Sequence, residues 1–324
     1  MMKTTTCPLC GKDDLQLLHG ESGFSLLKCL KCSLVFKSLE NSLAEHIGDM
    51  PDRLYNDVEI RGREKSNIQR ARDRLNILNR YKKQGKLLEI GCATGEFLET
   101  AQHVGFDVSG LDASQVYVEY AFGKGLNVKY GRLEDFDYNK EEFDVICMFH
   151  LIEHIQYPKE FLKQVHEYLK PGGLLYIITP NLESHTDKLF KYKHPNFAQA
   201  DHLFFYSKDV LGKLLSISGF SMGGVYSKEY VYHIFTSFIQ FLATRLKRYS
   251  LKSRTHLCDK GSSEFLKRQN KGNSFIKRMV YKISFLVAYL FYPVLKPYGL
   301  ILDRYKKGHE LIIIAKKRPC VKGL

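Results

Sequence analysis

With 324 residues, 44% of them hydrophobic and 26% charged, the chain is long enough for an α/β domain with additional modules, and its composition excludes wholesale disorder. The residues before Cys7 contain no apolar stretch of the kind that forms a signal peptide. We therefore expect a cytoplasmic protein whose eight cysteines stay reduced and bind metal or pack, rather than form disulfides.

Two paired-cysteine motifs mark residues 1–40. Cys7 and Cys10 form one C-x-x-C pair, Cys29 and Cys32 form the other, and 18 residues separate the pairs. This is the spacing of a four-cysteine zinc ribbon, in which each pair occupies one edge of a tetrahedron. The alternative is four unrelated buried cysteines. Because four protein ligands leave no open position, we predict a structural zinc ion that stabilises a module too small to build its own core.

Hydrophobic patterning divides residues 41–227 into two parts. Residues 41–84 are polar and charged, and we expect a helical linker with a helix from about Arg63 to Tyr81. From residue 85 to 227, short apolar runs alternate with longer mixed segments, which is typical of βαβ units in a parallel sheet. The strands predicted from this pattern are Lys86–Ile90, Asp107–Leu111, Asn127–Tyr130, Phe143–Met148, Gly173–Thr179 and, near the end of the chain, Glu310–Lys316.

A glycine-containing loop follows the first of these strands. Glu89 lies near the end of the strand, Gly91 and Gly95 lie in the loop, and a helix is expected to begin near Glu96. Glycines at such a turn permit positive φ and let a ligand approach the backbone closely. Asp112, at the end of the next strand, is placed to hold the ribose hydroxyls of a nucleoside. The loop lacks the third glycine of a dinucleotide fingerprint and the Gly-Lys-Ser/Thr of a P-loop.

The pattern Glu89-x-Gly91-x-Ala93-x-Gly95 resembles motif I of the class I S-adenosylmethionine-dependent methyltransferases, with Ala93 in place of the usual middle glycine. Further segments resemble the same family in the same order: Gly131–Phe136, Phe143–His154, Leu169–Gly173 and Asp201–Phe220. The pattern is most similar to that of ubiquinone-biosynthesis O-methylases. The resemblance implies a Rossmann-like, doubly wound, mostly parallel seven-stranded sheet. It assigns the methyltransferase domain to residues 85–227 plus 308–317, with the last two strands at Ser221–Tyr226 and Glu310–Lys316.

The resemblance also implies which residues bind S-adenosylmethionine. The motif I loop would pack against the methionine moiety, Asp112 would hold the ribose, and the segment Gly131–Phe136 would flank the adenine. The implied cofactor-binding residues are Glu89, Gly91, Ala93, Thr94, Gly95, Asp112, Ala113, Leu133, Glu134 and Phe149.

Two histidines are candidate catalytic bases, since a hydroxyl or an enolisable carbon must lose a proton when it accepts a methyl group. His154 follows the fourth strand, and His202 lies in the segment that closes the pocket in the family. The alternative for each is a structural histidine that binds the backbone. His150-x-x-Glu153-His154 also matches the signature of inverted zinc peptidases. Because the motif lies at a strand end within a methyltransferase framework, we favour a methyltransferase site over a peptidase site.

Residues 228–307 form a basic, aromatic and apolar helical insertion before the last strand. Between Arg245 and Lys282, 12 lysines and arginines stand against two acidic residues. The two charge-free stretches of the insertion are shorter than the ~20 residues that span a bilayer. We expect residues 231–302 to attach to an anionic membrane surface as a peripheral element on its inner face. The alternative is a helical subdomain that covers the active site.

These features predict a methyltransferase that acts on a sugar, a glycan, a lipid-linked compound or a related small molecule, at oxygen or carbon. Some sugar C-methyltransferases carry a similar N-terminal zinc module, which favours a sugar-like acceptor. RNA methylation is an alternative because the basic stretch could contact phosphates. Apolar runs interrupt that basic stretch, and residues Phe149–Ile152 do not form an Asn/Asp-Pro-Pro-Tyr motif. Both observations argue against nucleic acid as the acceptor. A non-catalytic zinc-binding adaptor is the third hypothesis, which the intact Glu89, Gly91, Gly95 and Asp112 disfavour.

Overall fold

The computed structural model describes residues 6–21, 24–39, 57–190, 197, 199, 201–230 and 292–319. Its strands are β1 (Leu15–Glu21), β2 (Phe24–Cys29), β3 (Val35–Leu39), β4 (Gly85–Ile90), β5 (Phe106–Asp112), β6 (Val128–Tyr130), β7 (Phe143–Phe149), β8 (Leu169–Pro180), β9 (Phe204–Phe205), β10 (Phe220–Lys228) and β11 (Glu310–Lys317). Its α-helices are α1 (Asp57–Leu78), α2 (Glu96–Gln102), α3 (Gln115–Gly123), α4 (Pro158–Tyr168), α5 (His185–Phe190), α6 (Lys208–Ile217) and α7 (Tyr292–Arg304).

Seven strands form the central sheet in the order β10-β11-β8-β7-β4-β5-β6. The pairs β4–β5, β4–β7, β5–β6 and β7–β8 are all parallel. The strand order reverses at β4, because β5 and β6 extend to one side of it while β7 and β8 extend to the other. Loops at the carboxyl ends of the strands beside such a reversal form a crevice that binds ligands. The predicted Rossmann-like, mostly parallel α/β fold is confirmed.

Strand β7 shows why the middle of the sheet is so apolar. All of its residues except the half-buried Asp144 are buried, as expected for a parallel strand covered on both faces. The Asp144 carboxylate accepts hydrogen bonds from Lys82 Nζ at 2.9 Å, Lys170 Nζ at 2.7 Å and the Lys86 N–H at 3.0 Å. Although burial raises its pKa, these donors lower the pKa of Asp144 to about 2, so the carboxylate stays charged at the sheet margin.

Two predicted boundaries differ from the structure. Strand β8 begins at Leu169 rather than Gly173, because Phe143 pairs with Leu169 and Val145 with Leu174, so that the Pro-Gly-Gly segment forms a bulge in the strand. Helix α1 runs from Asp57 to Leu78, rather than from Arg63 to Tyr81. The Tyr81 N–H donates to the Leu78 carbonyl at 2.8 Å, which closes a turn after the helix ends.

A second sheet has the strand order β1-β2-β3-β9. Three of its strands come from the N-terminal cysteine module, and the fourth, β9, comes from the segment that carries His202. The module and the central sheet also share one hydrophobic core, which includes Cys29, Cys32 and Phe36 together with Phe204 and Ile90. Although residues 1–40 were assigned to a separate domain from sequence, the described residues of this module belong to the same compact unit as the sheet.

A second compact unit combines residues 181–199 with 226–310. The sequence placed residues 181–199 within the methyltransferase domain instead. In this unit the Asn181 amide donates to the carbonyls of Lys306 at 3.2 Å and Gly308 at 2.8 Å, and so ties the chain after β8 to the chain before β11. The predictions for residues 231–291 of the insertion lie outside the described residues. None of the helices in the described part of the chain is long and apolar enough to cross a membrane.

Candidate functional site

The loop between β4 and α2 has a backbone that few residue types adopt. Gly91, Ala93 and Gly95 have φ angles of 77°, 45° and 80°. Ala93 holds the left-handed conformation without being a glycine, at a cost of about 1–2 kcal/mol that the surrounding structure must offset. At Gly95 an added Cβ would lie 2.4 Å from Leu126 Cδ1, so packing as well as φ requires glycine there. The loop is therefore held in a shape that leaves its backbone open to a ligand.

Asp112 connects this loop to the end of β5. Its Oδ2 accepts a hydrogen bond from the Ala93 N–H at 2.8 Å, and its Oδ1 accepts one from the Ser114 N–H at 2.9 Å. A carboxylate oxygen can accept more than one hydrogen bond, so these contacts are compatible with the ribose-binding role that the resemblance implies. The neighbouring Ala113 is exposed at the same edge of the sheet.

Glu89 and Thr94 have buried side chains at this loop. Glu89 is 3% exposed, and burial raises its pKa well above the usual range, although Arg74 opposes that shift. The Thr94 hydroxyl donates to the Glu96 carboxylate at 2.6 Å, and Lys124 Nζ donates to the Thr94 carbonyl at 3.0 Å. These contacts stabilise the first turn of α2. The Thr94 hydroxyl donates its proton to Glu96 and so does not donate it to a ligand.

The segment after β6 lies beside Asp112, because the Gly131 N–H donates to the Asp112 carbonyl at 2.9 Å. Leu133 and Glu134 begin a short 3-10 turn there. Leu133 is buried and Glu134 is exposed. A buried apolar residue beside an exposed acid can form one wall of an adenine pocket, which is the role that the resemblance implies.

Phe149 ends β7, and its ring is enclosed by neighbouring side chains. It makes edge-to-face contacts with Phe97 and Tyr176, with ring centroids at 4.8 Å and 5.0 Å. The Arg74 guanidinium lies 4.4 Å from the ring centroid. The Phe149 side chain is thus committed to packing within the protein. All ten predicted cofactor-binding residues nevertheless lie at the carboxyl ends of β4, β5, β6 and β7, which are neighbours in the sheet.

The two candidate bases, 48 positions apart in the chain, lie side by side. The rings of His154 and His202 meet edge to face with centroids at 4.8 Å. His154 Nδ1 lies 2.8 Å from the carbonyl oxygen of Asp201. A carbonyl only accepts hydrogen bonds, so Nδ1 carries a proton, and in the neutral ring Nε2 carries the lone pair. The His154 side chain is 27% exposed, so an acceptor molecule can reach this histidine.

His202 is less suited to take up a proton. It is 5% exposed, and burial lowers its pKa to about 4, while the charges of Glu153 and Asp201 only partly oppose that shift. Its ring is therefore neutral near pH 7 and a weak base. We infer that His154 is the better candidate base and that His202 packs against it.

Glu153 joins the histidines, although it was not among the predicted site residues. It is 1% exposed, and Thr179 Oγ1 donates to its Oε2 at 2.9 Å. Although burial raises its pKa, the hydrogen bond and charge of the neighbouring His150 lower it below the usual range, so the carboxylate is ionised. His150 Nδ1 lies 3.6 Å from Glu153 Oε1, and His150 holds a strained φ of 53°. The His-x-x-Glu-His motif was the available signal.

This cluster has a donor set that fits a divalent metal ion. One ligand atom from each of Glu153, His154 and His202 can be chosen so that all three lie within 4.8 Å of one another. A carboxylate oxygen and two imidazole nitrogens are common ligands of zinc and of other transition metals.

The four ribbon cysteines are also brought together. Cys7 Sγ lies 3.5 Å from Cys32 Sγ, and Cys10 Sγ lies 3.5 Å from Cys29 Sγ, with all four sulfurs within 4.8 Å. None of the four forms a disulfide. Sulfur atoms bound to one tetrahedral zinc at ~2.3 Å lie roughly 3.8 Å apart, so this arrangement fits the ion. Burial opposes ionisation of Cys29, but backbone N–H donors from Cys32 and Lys31 lower its pKa to about 7.

Comparison with known proteins is consistent with this site. A protein-family model described as a methyltransferase domain matches residues 61–222. The ubiquinone biosynthesis O-methyltransferase of Caulobacter vibrioides is 34% identical over 102 residues, which cover 29% of this chain and 40% of that protein. The corresponding enzyme of Cereibacter sphaeroides is 35% identical over 102 residues, covering 30% and 41%. The chain thus spans about two fifths of the length of these relatives.

Solved structures of low sequence identity also align with the chain. A SAM-dependent methyltransferase from Thermotoga maritima aligns with a TM-score of 0.49 and 16% identity, covering 81% of this chain and 97% of that one. A SAM-dependent methyltransferase from Archaeoglobus fulgidus aligns with a TM-score of 0.48 and 19% identity, covering 81% and 100%.

Proposed function

Because the chain belongs to the methyltransferase-domain family of S-adenosylmethionine-dependent enzymes, we propose that it methylates an oxygen or carbon atom of a sugar, a glycan, a lipid-linked compound or a related small molecule. The observation that carries this proposal is the orientation of His154. Its Nδ1 proton is held by the Asp201 carbonyl, so Nε2 is the free base. Hydroxyl and enolisable carbon acceptors need such a base, whereas a softer nucleophile such as a thiolate does not.

The roles of the residues follow from their places in the sheet. S-adenosylmethionine supplies a methyl group that is activated by its sulfonium charge. The β4–α2 loop and Asp112 would hold the cofactor at the carboxyl ends of β4 and β5. His154 would accept the proton that the acceptor loses, and the ionised Glu153 would stabilise the positive charge that this histidine gains.

The relatives support an oxygen acceptor on a lipid-like molecule. These relatives are ubiquinone biosynthesis O-methyltransferases, and ubiquinone is a lipid-soluble quinone. The match covers less than half of each relative, so the sugar or glycan acceptor and the lipid-linked acceptor are both retained in the proposal. The N-terminal cysteine module favours the sugar-like acceptor only by analogy.

Methyl-labelled S-adenosylmethionine tests the acceptor class directly. The purified protein is incubated with the labelled cofactor and a fractionated lysate of its own source, with an Asp112→Ala variant as the matched control. We expect label in the glycan fraction or the solvent-extractable lipid fraction, reduced at least tenfold in the variant. Label in RNA would replace the proposal with an RNA methyltransferase. Cofactor binding without label in any fraction would remove the small-molecule acceptor.

We further propose that the four cysteines bind one structural zinc ion. The sulfur geometry and the absence of disulfides among these residues support this. A site with four thiolate ligands has no open position for a substrate, so the ion would hold the ribbon together rather than take part in methyl transfer. Metal analysis of the purified protein measures the expected one zinc per chain.

Helix α7 supports the proposed attachment to an anionic membrane. Leu300 and Ile301 on the helix are 59% and 52% exposed, and Tyr305, in the turn that follows it, is 70% exposed. Arg304 and Lys306 are exposed beside them. Exposed apolar side chains flanked by basic ones are typical of helices that lie in the interface of an anionic bilayer.

Vesicle binding measures this attachment. At low salt we expect the protein to bind vesicles that contain phosphatidylglycerol. The double variant Leu300→Ser/Ile301→Ser should weaken binding roughly a hundredfold, because burial of each apolar side chain contributes about 1.5 kcal/mol of binding free energy. Leu17→Ser, which changes an apolar residue with 61% exposure on β1, is the control and should bind as the wild type does. No binding at low salt, or equal loss in the control, would contradict the attachment.

A further inference from the structure

The cysteine ribbon makes direct contact with the strand that follows His202. Strand β3 pairs antiparallel with β9, so that Val35 faces Phe205 and Phe36 faces Phe204. The Lys37 N–H extends this ladder by donating to the Leu203 carbonyl at 2.9 Å. The ribbon therefore supplies three of the four strands in the sheet that ends at the acceptor side of the site.

Leu203 connects the ribbon to the second histidine as well. Its carbonyl accepts from Lys37, while its N–H donates to the Glu153 carbonyl at 2.9 Å. The Phe204 N–H donates to the same Glu153 carbonyl at 3.1 Å. Because His202 precedes Leu203 and His154 follows Glu153, both histidines are one residue away from this chain of hydrogen bonds.

Side-chain packing follows the same route. Cys29, Cys32 and Phe36 belong to the hydrophobic core that also includes Leu203 and Phe204. The Lys37 side chain is buried too, with its Nζ 4.6 Å from the ring centroid of Phe24 and 5.8 Å from that of Phe205. Loss of order at the cysteines would therefore destabilise β9 through both the backbone hydrogen bonds and the shared core.

We propose that the four-cysteine ribbon is a positioning element of the acceptor site: metal binding by the cysteines orders β3, and β3 holds β9 with His202 against His154. This rests on the proposed function, since it takes the histidine pair to face the acceptor. The cofactor loop lies at β4 and β5, and the ladder between β3 and β9 includes neither strand. The ribbon is thus expected to control the acceptor side while cofactor affinity changes little.

A proline at position 37 separates strand pairing from ribbon folding. In an antiparallel strand the N–H and C=O of one residue point to the same neighbouring strand, and those of Lys37 point to β9. Lys37→Pro removes that donor without taking a hydrogen bond from β2. A proline also favours an extended conformation in the residue before it, which is the conformation of Phe36 in β3. Lys37→Met, which keeps the N–H and the apolar stem, is the matched control.

The readouts report on the segment itself and need no acceptor molecule. Hydrogen exchange is followed for the amides of Leu203 and Phe204, with β4 amides as a reference. Reaction of His202 with diethyl pyrocarbonate is followed by mass spectrometry, with the exposed His103 as an internal reference. Zinc content and the Kd for S-adenosylmethionine are measured on the same samples.

In Lys37→Pro we expect one zinc per chain and a Kd within threefold of the wild type. Exchange at Leu203 and Phe204 should become at least tenfold faster, and modification of His202 at least fivefold faster, with His103 unchanged. Lys37→Met, which keeps the N–H but loses the Nζ contacts with Phe24 and Phe205, should change exchange and modification less than twofold. Zinc removal from the wild type should reproduce the proline phenotype, and zinc added back should reverse it.

Three outcomes would overturn the proposal. In the first, the β9 amides and His202 stay protected after zinc removal. In the second, Lys37→Pro and Lys37→Met behave alike. In the third, zinc removal weakens cofactor binding as strongly as it exposes His202, which would make the ribbon a support for the whole fold. If His202 protection follows zinc but no fraction accepts a labelled methyl group, positioning stands and the proposed function fails.

Discussion

Replacing Gly95 with alanine is expected to lower the affinity for S-adenosylmethionine at least 30-fold. Gly95 has a φ of 80°, and a Cβ there would lie 2.4 Å from Leu126 Cδ1 and 3.2 Å from Ala121 Cβ. Leu126 and Ala121 are both buried, so neither has free space to move into, and we expect the loop itself to shift. That shift displaces the Ala93 N–H from Asp112 and changes the backbone that would bind the cofactor.

Gly105→Ala is the matched control for this prediction. Gly105 also has a positive φ, of 100°, but nothing lies within 4 Å of a Cβ added there. In the control, backbone strain should lower the free energy of unfolding by only ~1–2 kcal/mol, and the cofactor affinity should not change. In Gly95→Ala, overpacking should lower the free energy of unfolding by a further ~1–3 kcal/mol. Calorimetric titration and urea unfolding measure the two quantities, and equal cofactor affinity in the two variants would contradict the assigned role of the loop.

His154→Ala should reduce methyl transfer by roughly 10²–10⁴-fold, the usual contribution of a general base. The Kd for S-adenosylmethionine should stay within threefold of the wild type, because the cofactor loop makes no hydrogen bond to His154 among the described residues. His202→Gln should lose less activity, since the low pKa of His202 makes it a poor base. Turnover is measured with the acceptor fraction that the labelled cofactor identifies.

A divalent ion on Glu153, His154 and His202 would give a different pattern. His202→Gln and Glu153→Gln would then lose as much activity as His154→Ala, and chelation would stop the reaction while the ribbon zinc is retained. Full activity in His154→Ala would remove this residue from the mechanism under either chemistry. The comparison of the three variants thus separates a histidine base from metal-assisted deprotonation.

The sequence predicted the features that depend on local spacing. Gly91, Gly95 and Asp112 could be identified because the motif is local. It combines a turn with positive φ and a carboxylate at the end of the next strand, all within about 25 residues. The apolar strand pattern likewise indicated the parallel sheet, since strands covered on both faces must be apolar throughout. The four cysteines were predictable because the C-x-x-C spacing is set by the edge of one tetrahedron.

Contacts between distant residues were decided only by the tertiary structure. The pairing of β3 with β9 joins residues about 170 positions apart, and nothing in either short strand specifies its partner. The sequence named His154 and His202 separately, but only the fold places their rings together. Burial then separates their chemistry, because the cost of charging a shielded imidazole depends on what surrounds it and not on its neighbours in the chain.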